Sequence, residues 1–231
     1  MTNNEIKAII DSFVFNMKRN YTFRPLYKHQ PADASELESI IDYTLLSPNA
    51  SRADIHQMCI NSKSHSFHSI CIAPCWVEEV QSLIKNDKTK LCTVIGFPHG
   101  TSSYSNKINE CEDTLQKAVD EIDMVMNLSA FKSQSYDYVI SEIKEIVHLC
   151  HRHKVLLKVI IEIAYLNEVE IIQACLLAHW GGADFVKTSS GFARSGATVE
   201  AVRLMRQVVM DNMGVKAAGG IHEKSFAIEL L

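Results

Sequence analysis

The sequence predicts an α/β fold of the TIM (β/α)8-barrel type. Short apolar segments without strict polar alternation recur along the 231 residues, which is typical of parallel strands covered on both faces. Segments with helical spacing of apolar residues separate them, as in a parallel sheet with crossover helices. A doubly wound open sheet has the same order, but the chain contains neither GxGxxG nor GxxxxGK[ST]. The barrel is therefore favoured.

Seven candidate strands follow one another along the chain, and helices separate them. The predicted strands are 39–46, 68–73, 91–97, 121–128, 156–163, 183–189 and 214–219. The clearest helices are 168–180, with Asn167 as N-cap and Glu170 three residues on, and 198–210. A closed barrel needs an eighth strand, and we expect this polypeptide to lack that strand and its helix.

Composition and charge limit where the chain acts and what it binds. Residues 1–37 are predicted to form a helical extension before the barrel, 38–231. The first 20 residues carry charges throughout, unlike a signal peptide or a membrane span. Seven cysteines without a CxxC pair are typical of a reduced cytosol, so we expect a cytoplasmic protein. A net charge of −4 without a basic run predicts no nucleic-acid or membrane partner.

Three lysines recur at an identical spacing of 29 residues: Lys158, Lys187 and Lys216. One strand plus its crossover helix has about this length, so neighbouring strands would bring the three ammonium groups together. Crowded like charges disfavour protonation, and at least one amine is expected to be partly neutral near pH 7. A neutral amine in an apolar barrel is the nucleophile that Schiff-base chemistry requires. The alternative is three unrelated surface lysines at equivalent positions of a repeat.

Alternation within strands places further polar groups on the interior face. Glu121, Asp123 and Asn127 share one face of the fourth predicted strand, and Asp42 and Thr44 share a face of the first. An unpaired buried carboxylate is costly, so we expect the lysines to pair with Asp123. Such a pair has either a structural role or a role in proton transfer.

Glycines cluster just after the sixth and seventh predicted strands. Gly191 follows the sixth, and Gly219 and Gly220 follow the seventh. Barrels often bind phosphate there through backbone N–H groups, because glycine allows the chain to approach an anion closely. A pair of glycines alone indicates an ordinary turn, but beside Lys187 and Lys216 it favours an anion site. The HLCHRH segment lacks a second pair of ligands, so no metal site is predicted there.

The longest motifs resemble those of one enzyme family. The segments IDYTLL, SICIAP, VIGFPHG, DEIDMVMNLSAFKSQSYDYV, LKVIIE, ADFVKTSSGF and GVKAAGGI match deoxyribose-phosphate aldolases in that family's order, over roughly residues 38–221. The resemblance implies a class I aldolase, a carbon–carbon lyase of deoxyribose phosphate catabolism. It implies reversible cleavage of 2-deoxy-D-ribose 5-phosphate to D-glyceraldehyde 3-phosphate and acetaldehyde. It also implies a Schiff base without metal or cofactor.

The resemblance also implies roles for single residues. Lys187 corresponds to the Schiff-base lysine, Lys216 to the second lysine that keeps the first neutral, and Asp123 to the aspartate that shuttles protons through an ordered water. The implied substrate-binding residues are Lys158, Asp42, Thr44, Cys71, Ser190, Gly191, Gly219 and Gly220. For Cys71, a buried small hydrophobic residue is an equally good interpretation.

Two departures from the family concern the phosphate end of the substrate. Phe192 stands where some members carry a lysine, and Arg194 in the same loop is an alternative source of charge. The family's eighth strand and its Gly-Ser-rich turn have no counterpart here. Two functions therefore stay open: an active aldolase, expected as a homodimer, and a truncated or degenerate barrel that serves as a binding or oligomerisation module. Retention of the three lysines and Asp123 favours the aldolase.

Overall fold

The computed structural model describes residues 2–19, 34–84 and 88–231. Ten helices and seven strands lie within these residues. The strands are Asp42–Leu45 (β1), Ser69–Ile72 (β2), Lys90–Ile95 (β3), Glu121–Val125 (β4), Leu156–Ile160 (β5), Phe185–Lys187 (β6) and Gly214–Lys216 (β7). The helices are Asn3–Arg19 (α1), Ala34–Glu38 (α2), Arg52–Ser62 (α3), Val77–Ile84 (α4), Tyr104–Leu115 (α5), Leu128–Lys132 (α6), Tyr136–Arg152 (α7), Glu168–Gly181 (α8), Val199–Val209 (α9) and Lys224–Glu229 (α10).

The strands form one parallel sheet in the order of the sequence, from β1 to β7. A doubly wound sheet would reverse its strand order at a switch point, so this order confirms the barrel-type architecture. All seven predicted strands are present, although each is shorter than predicted. The predicted segments ran on into loop residues such as Asn127 and Ser189, which are buried but lie beyond the ends of β4 and β6.

The sheet curls far enough for side chains of its first and last strands to meet. Lys216 on β7 donates a hydrogen bond to Asp42 on β1, although these strands are not neighbours in the hydrogen-bonded order. Seven strands that curl in this way enclose an interior lined by inward side chains, as in a barrel. The interior is therefore shared between residues that are distant along the chain.

The apolar core has an outer and an inner part. The large outer core fills the space between the sheet and the helices and includes Ile122, Val159 and Val186. A small inner cluster contains Cys71, Cys92 and Val94, with Leu46 and Phe97 packed against it. The inward residues Asp123 and Lys158 are buried as well, so the interior combines a few apolar groups with buried charges.

Helix boundaries follow the capping signals that the sequence contains. Asn167 caps α8, where its side chain accepts a hydrogen bond from the backbone of Glu170 and the Glu170 side chain accepts one from the backbone of Asn167. Thr198 caps α9 by accepting a hydrogen bond from the backbone of Ala201. Both predicted helices are confirmed to within one residue at each end.

Helix α1 packs on the outside of the barrel against α7 and α8. Its buried residues Ile6 and Ile10 join the outer core. The Asn3 side chain accepts hydrogen bonds from the backbone of Tyr136 at 2.8 Å and of Asp137 at 3.2 Å, the first residues of α7. The N-cap residue of α7, Ser135, makes no side-chain capping bond. Asn3 therefore caps α7 from a distant part of the chain.

Part of the predicted N-terminal extension, residues 20–33, lies outside the described residues. The division into an extension and a barrel therefore stays a prediction, although α1 itself is present as an amphipathic helix. In the portion of the chain that is described, no helix has the length and hydropathy needed to cross a membrane.

Replacement of Asn3 by alanine is expected to destabilise the fold by about 1 kcal/mol, because two backbone N–H groups of α7 lose their acceptor. Urea unfolding followed by circular dichroism measures this change. Asn4→Ala is the matched control, since Asn4 is exposed on the same first turn of α1. Equal midpoints for the two variants would contradict a capping role for Asn3.

Candidate active site

Inward side chains of four neighbouring strands converge near the carboxyl ends of the strands. In the ladder, Asp123 on β4 is level with Lys158 on β5, whereas Lys187 on β6 is level with Lys216 on β7. Lys187 pairs with Ile160 rather than Lys158. The identical 29-residue spacing therefore does not place the three lysines at one height. Lys158 lies two residues deeper, because parallel strands of a barrel are staggered.

Asp123 is the acceptor on which the three lysines converge. Its Oδ2 accepts hydrogen bonds from Nζ of Lys187 at 2.6 Å and from Nζ of Lys216 at 2.9 Å. Its Oδ1 accepts one from Nζ of Lys158 at 2.9 Å. Asp123 is fully buried, and Lys158 and Lys187 are 3% and 2% exposed. The predicted pairing of the lysines with Asp123 is present, and the alternative of three surface lysines is wrong.

Two more carboxylates complete the cluster of charges. Nζ of Lys158 lies 2.5 Å from Oε2 of Glu121 and 3.4 Å from Oδ2 of Asp42. Lys216 also donates to Oδ2 of Asp42. Asp42 therefore joins two lysines from the far side of the interior. The lysines are therefore surrounded by three carboxylates as well as by one another.

The carboxylates decide the protonation of two of the three lysines. Burial alone would lower the pKa of Lys158 and of Lys216, but nearby anionic groups, Asp123 among them, raise both pKa values above the ordinary range for lysine. Burial would raise the pKa of Asp123, but the ammonium groups hold it well below its usual range. Lys158 and Lys216 are thus cations, and mutual repulsion does not neutralise either of them.

Loop contacts hold the segment that follows Lys187. The backbone N–H of Thr188 donates to the carbonyl of Lys216 at 3.0 Å, and the Thr188 hydroxyl donates to the carbonyl of Ala218 at 3.0 Å. On the other side, the buried Glu162 carboxylate accepts hydrogen bonds from the backbone and the hydroxyl of Ser190. The loop after β6 is therefore fixed between the ends of β5 and β7.

The predicted glycine cluster forms where the loops after β6 and β7 meet. Gly219 has a φ of +84°, and a Cβ atom there would lie 3.0 Å from Cα of Gly196 and 3.5 Å from Cα of Gly191. Gly220 has a φ of +76° and open space around it. Positive φ angles favour glycine at both positions. The backbones of the two loops therefore approach each other closely at Gly219, where a Cβ atom would also lie 3.5 Å from Cβ of Ser189.

The remaining predicted residues lie at the edges of the cluster. Thr44 is exposed at the end of β1, and its hydroxyl donates to the carbonyl of Asp42 at 2.8 Å. Cys71 is fully buried in the inner apolar cluster. Both interpretations of Cys71 survive, because this cluster directly borders Asp123.

A cleft of about 490 Å³ opens among the loops that follow β3, β4, β5 and β6. Its walls include His99, Lys132, Tyr165, Ser190 and Phe192. Phe192 is 47% exposed. Its ring packs edge-on against Phe97 at a centroid distance of 5.3 Å. The position that differs from the family pattern therefore lies on the rim of this cleft.

Sequence reasoning missed three groups that the structure brings into the site. Glu121 was predicted on the interior face but was not counted as a site residue. Cys92 contacts Asp123 through its thiol at 3.4 Å and Lys158 at 3.5 Å. Glu162, at the end of the fifth predicted strand, accepts hydrogen bonds from Ser190. In each case the alternation of inward and outward side chains along a strand was the available signal. Only the register of neighbouring strands in the structure identifies the partners.

A buried ion pair behind the site was also missed. Nζ of Lys107 donates to Glu142 at 2.8 Å and to the carbonyls of Gly100 and Val125, both at 3.0 Å. Burial lowers the pKa of Lys107 and raises that of Glu142. The pair ties the loop after β3 to β4 and α7, so it supports one wall of the cleft. Helical spacing in α5 and α7 gives no indication of this contact.

The fold should lose stability in acid through Asp42, whose pKa of about 2 lies below the ordinary 3.8. Burial would raise this pKa, but Lys216 and Lys158 lower it. A carboxylate with a depressed pKa contributes stability above about pH 4, and this contribution is lost as the pH falls toward 2. The shift corresponds to about 2–3 kcal/mol.

Asp42→Asn should therefore flatten the dependence of unfolding free energy on pH between about 4 and 2. Urea unfolding at a series of pH values measures that slope. Asp113→Asn is the control, because the Asp113 side chain is 68% exposed. A slope that is the same in Asp42→Asn and in the unsubstituted chain would contradict the assignment.

Comparison with known proteins agrees with this geometry. A family model described as DeoC/LacD family aldolase matches residues 30–230. The deoxyribose-phosphate aldolase of Thermoanaerobacter sp. (strain X514) is 46% identical over 186 residues, which are 80% of this chain and 83% of that protein. The aldolase of the same name from Aciduliprofundum boonei is 44% identical over 86% of this chain and 90% of its own length.

Solved structures agree in the fold. A putative deoxyribose-phosphate aldolase from Coccidioides immitis is 31% identical and superposes with a TM-score of 0.90, over 100% of this chain and 90% of that one. The deoxyribose phosphate aldolase from Aeropyrum pernix, described as tetrameric, is 31% identical with a TM-score of 0.79, over 85% and 82%. The resemblance noted from the motifs is confirmed: the chain belongs to the DeoC/LacD family of aldolases.

Proposed function

We propose that the chain is a class I aldolase that reversibly cleaves 2-deoxy-D-ribose 5-phosphate to D-glyceraldehyde 3-phosphate and acetaldehyde. The observation that carries the proposal is the convergence of Lys158, Lys187 and Lys216 on the buried carboxylate of Asp123. The names of the relatives from Thermoanaerobacter and Aciduliprofundum support the same substrate. No observation favours the alternative of a degenerate barrel without turnover.

The balance of charge supports Lys187 as the nucleophile. Asp42, Glu121 and Asp123 contribute three carboxylates to the cluster. Lys158 and Lys216 contribute two ammonium groups, and Lys90, with Nζ 3.5 Å from Glu121, contributes a third. Within the described residues Lys187 pairs with Asp123 alone. A neutral amine is the form that attacks a carbonyl, and the other cations already pair with the carboxylates.

The reaction begins at C1 of the open-chain sugar. The neutral amine of Lys187 attacks this carbonyl, and the carbinolamine loses water to give an iminium ion. The C2–C3 bond then breaks as the C3 hydroxyl loses its proton, which releases D-glyceraldehyde 3-phosphate and leaves an enamine on Lys187. Protonation at C2 and hydrolysis release acetaldehyde and restore the amine.

Asp123 and Lys216 serve the proton transfers in this proposal. Asp123 stays ionised, because its pKa is held well below its usual range. It therefore acts as a fixed acceptor that orients the amines and an intervening water, rather than as a store of protons. Lys216 is 15% exposed, more than Lys158 or Lys187, so it is the amine best placed to exchange protons with bound water.

The phosphate end is assigned to the loops after β6 and β7. Gly191, Gly219 and Gly220 allow the backbone to approach an anion closely. Arg194 is exposed in the same segment and is a further source of charge. Phe192 makes the rim of the cleft apolar, which predicts tolerance of acceptor aldehydes that lack a phosphate.

A homodimer and a cytoplasmic location also belong to this proposal. The aldolase from Aeropyrum pernix is described as tetrameric, so members of the family assemble. The cysteines of the described residues form no disulfide, as is typical of a reducing compartment. Light scattering of the purified chain measures its mass, and a mass of one chain at micromolar concentration would contradict the dimer.

Borohydride should trap a substrate adduct on Lys187. Incubation with 2-deoxy-D-ribose 5-phosphate and sodium borohydride reduces the iminium ion to a stable secondary amine, and peptide mass mapping locates the modified residue. We expect the adduct on Lys187 and on no other lysine. A folded chain without any adduct would refute the Schiff-base mechanism.

Matched lysine variants separate the roles within the cluster. Lys187→Met should give no adduct, because the nucleophile is gone. Lys216→Met keeps the nucleophile and should still be trapped, but with turnover lowered by about 10²- to 10⁴-fold. Lys117→Met, at an exposed helix pair with Asp113, is the control and should keep full activity. Normal turnover in Lys216→Met would remove that residue from the mechanism.

A further inference from the structure

Two thiols lie side by side inside the barrel, next to the cluster of charges. Cys71 on β2 and Cys92 on β3 are level in the parallel ladder, and both are fully buried. Their sulfur atoms and a carboxylate oxygen of Asp123 all lie within 4.8 Å of one another. The two cysteines are therefore close enough for a small movement to join them, since neighbouring strands already bring their Cα atoms into the range that a disulfide spans.

The pair is coupled directly to the groups that the proposed reaction uses. The Cys92 thiol donates to Oδ1 of Asp123 at 3.4 Å and accepts a hydrogen bond from Nζ of Lys158 at 3.5 Å. Any covalent change at the Cys92 sulfur removes the hydrogen that it donates to Asp123. Modification of the thiols therefore changes the surroundings of the acceptor on which all three lysines converge.

The two thiols differ in pKa, and this difference indicates which of them reacts first. The neighbouring Cys92 thiol lowers the pKa of the Cys71 thiol and thereby outweighs burial. Burial raises the pKa of Cys92. The thiolate is the reactive form of cysteine, so Cys71 is the sulfur that reacts first and Cys92 the one that resolves the product.

We propose that Cys71 and Cys92 form a peroxide-sensitive thiol pair whose closure to a disulfide switches off turnover. The Cys71 thiolate attacks one oxygen of hydrogen peroxide and becomes a sulfenic acid, which releases one water after proton transfer. The Cys92 thiol then attacks the Cys71 sulfur, forms the S–S bond and displaces the second water. The two thiols lose two electrons, and the peroxide gains them. Formation of the disulfide is independent of the proposed function, whereas the loss of turnover rests on it.

A metal ion is a poorer occupant of the same position. The set of Cys71, Cys92 and Asp123 offers two sulfurs and a carboxylate, which suits a thiophilic cation. Both oxygens of Asp123, however, already accept hydrogen bonds from lysines. A cation bound there would face the ammonium groups of Lys158 and Lys216 at short range, which opposes its binding.

A second pair of cysteines provides a matched control. The sulfur atoms of Cys111 on α5 and Cys150 on α7 lie 3.9 Å apart, and both residues are fully buried between the helices. If proximity alone decided oxidation, this pair would close at least as readily. Cys71 and Cys92 instead border the interior that a small aldehyde must enter to reach Lys187, so a molecule as small as peroxide can reach them.

The test treats the whole chain with hydrogen peroxide in small molar excess, blocks the remaining thiols and maps peptides without reduction. We expect a linked Cys71–Cys92 peptide, turnover lowered about tenfold or more, and recovery of both with dithiothreitol. Cys71→Ala should form no such link and should keep its own untreated activity, whatever that is, after peroxide. Cys111→Ala and Cys75→Ser, which removes an exposed thiol, should respond like the unsubstituted chain.

Three results would overturn the proposal. They are the absence of a Cys71–Cys92 link, a link confined to Cys111 and Cys150, and a full link that leaves turnover unchanged. Should the chain prove inactive on 2-deoxy-D-ribose 5-phosphate, mass mapping would still detect the disulfide. Failure of the thiol pair and failure of the proposed function are thus distinguishable.

Discussion

The whole interior depends on one buried carboxylate. Asp123 is fully buried and is an anion only because three lysines surround it. A buried charge without a partner costs several kcal/mol, so each lysine needs the carboxylate as much as the carboxylate needs the lysines. The strand register brings these groups together, and the curl of the sheet carries Asp42 on β1 to Lys216 on β7, so that the buried charges are satisfied.

The stagger of the strands gives three identical side chains different tasks. Lys158 lies two residues deeper than its counterparts and is surrounded by carboxylates. Lys187 and Lys216 are level with each other and nearer the carboxyl ends of the strands. Lys158, the deeper lysine, pairs with the carboxylates, and Lys187 and Lys216 remain for the proposed reaction. This division follows from the shear of a barrel, which displaces neighbouring strands along their axes.

The surrounding groups hold the central cluster from three directions. Glu162 and Thr188 fix the loop after Lys187, while the buried pair of Lys107 and Glu142 fixes the loop after β3. On the remaining side the Cys92 thiol contacts Asp123, and the Cys71 sulfur lies within 4.8 Å of both. Oxidation of the thiols would therefore act on the same carboxylate that orients the amines. The proposed reaction and the proposed sensitivity to oxidation both involve the Asp123 carboxylate, because the interior that contains it is small, buried and polar.

The sequence alone determined the fold class, the number and order of strands, the N-cap of α8, the extent of α9, and most of the residues that converge. Period-two alternation and the 29-residue repeat carry that information locally, because they reflect strand geometry and the length of one βα unit. Tertiary structure decided the rest. Only the register of the ladder shows that Lys187 is level with Lys216 and not with Lys158, and only the packing joins Glu121, Cys92 and Glu162 to the site. The raised pKa values of Lys158 and Lys216 belong to the same class, because they depend on carboxylates from distant strands whose distances are set by the curled sheet.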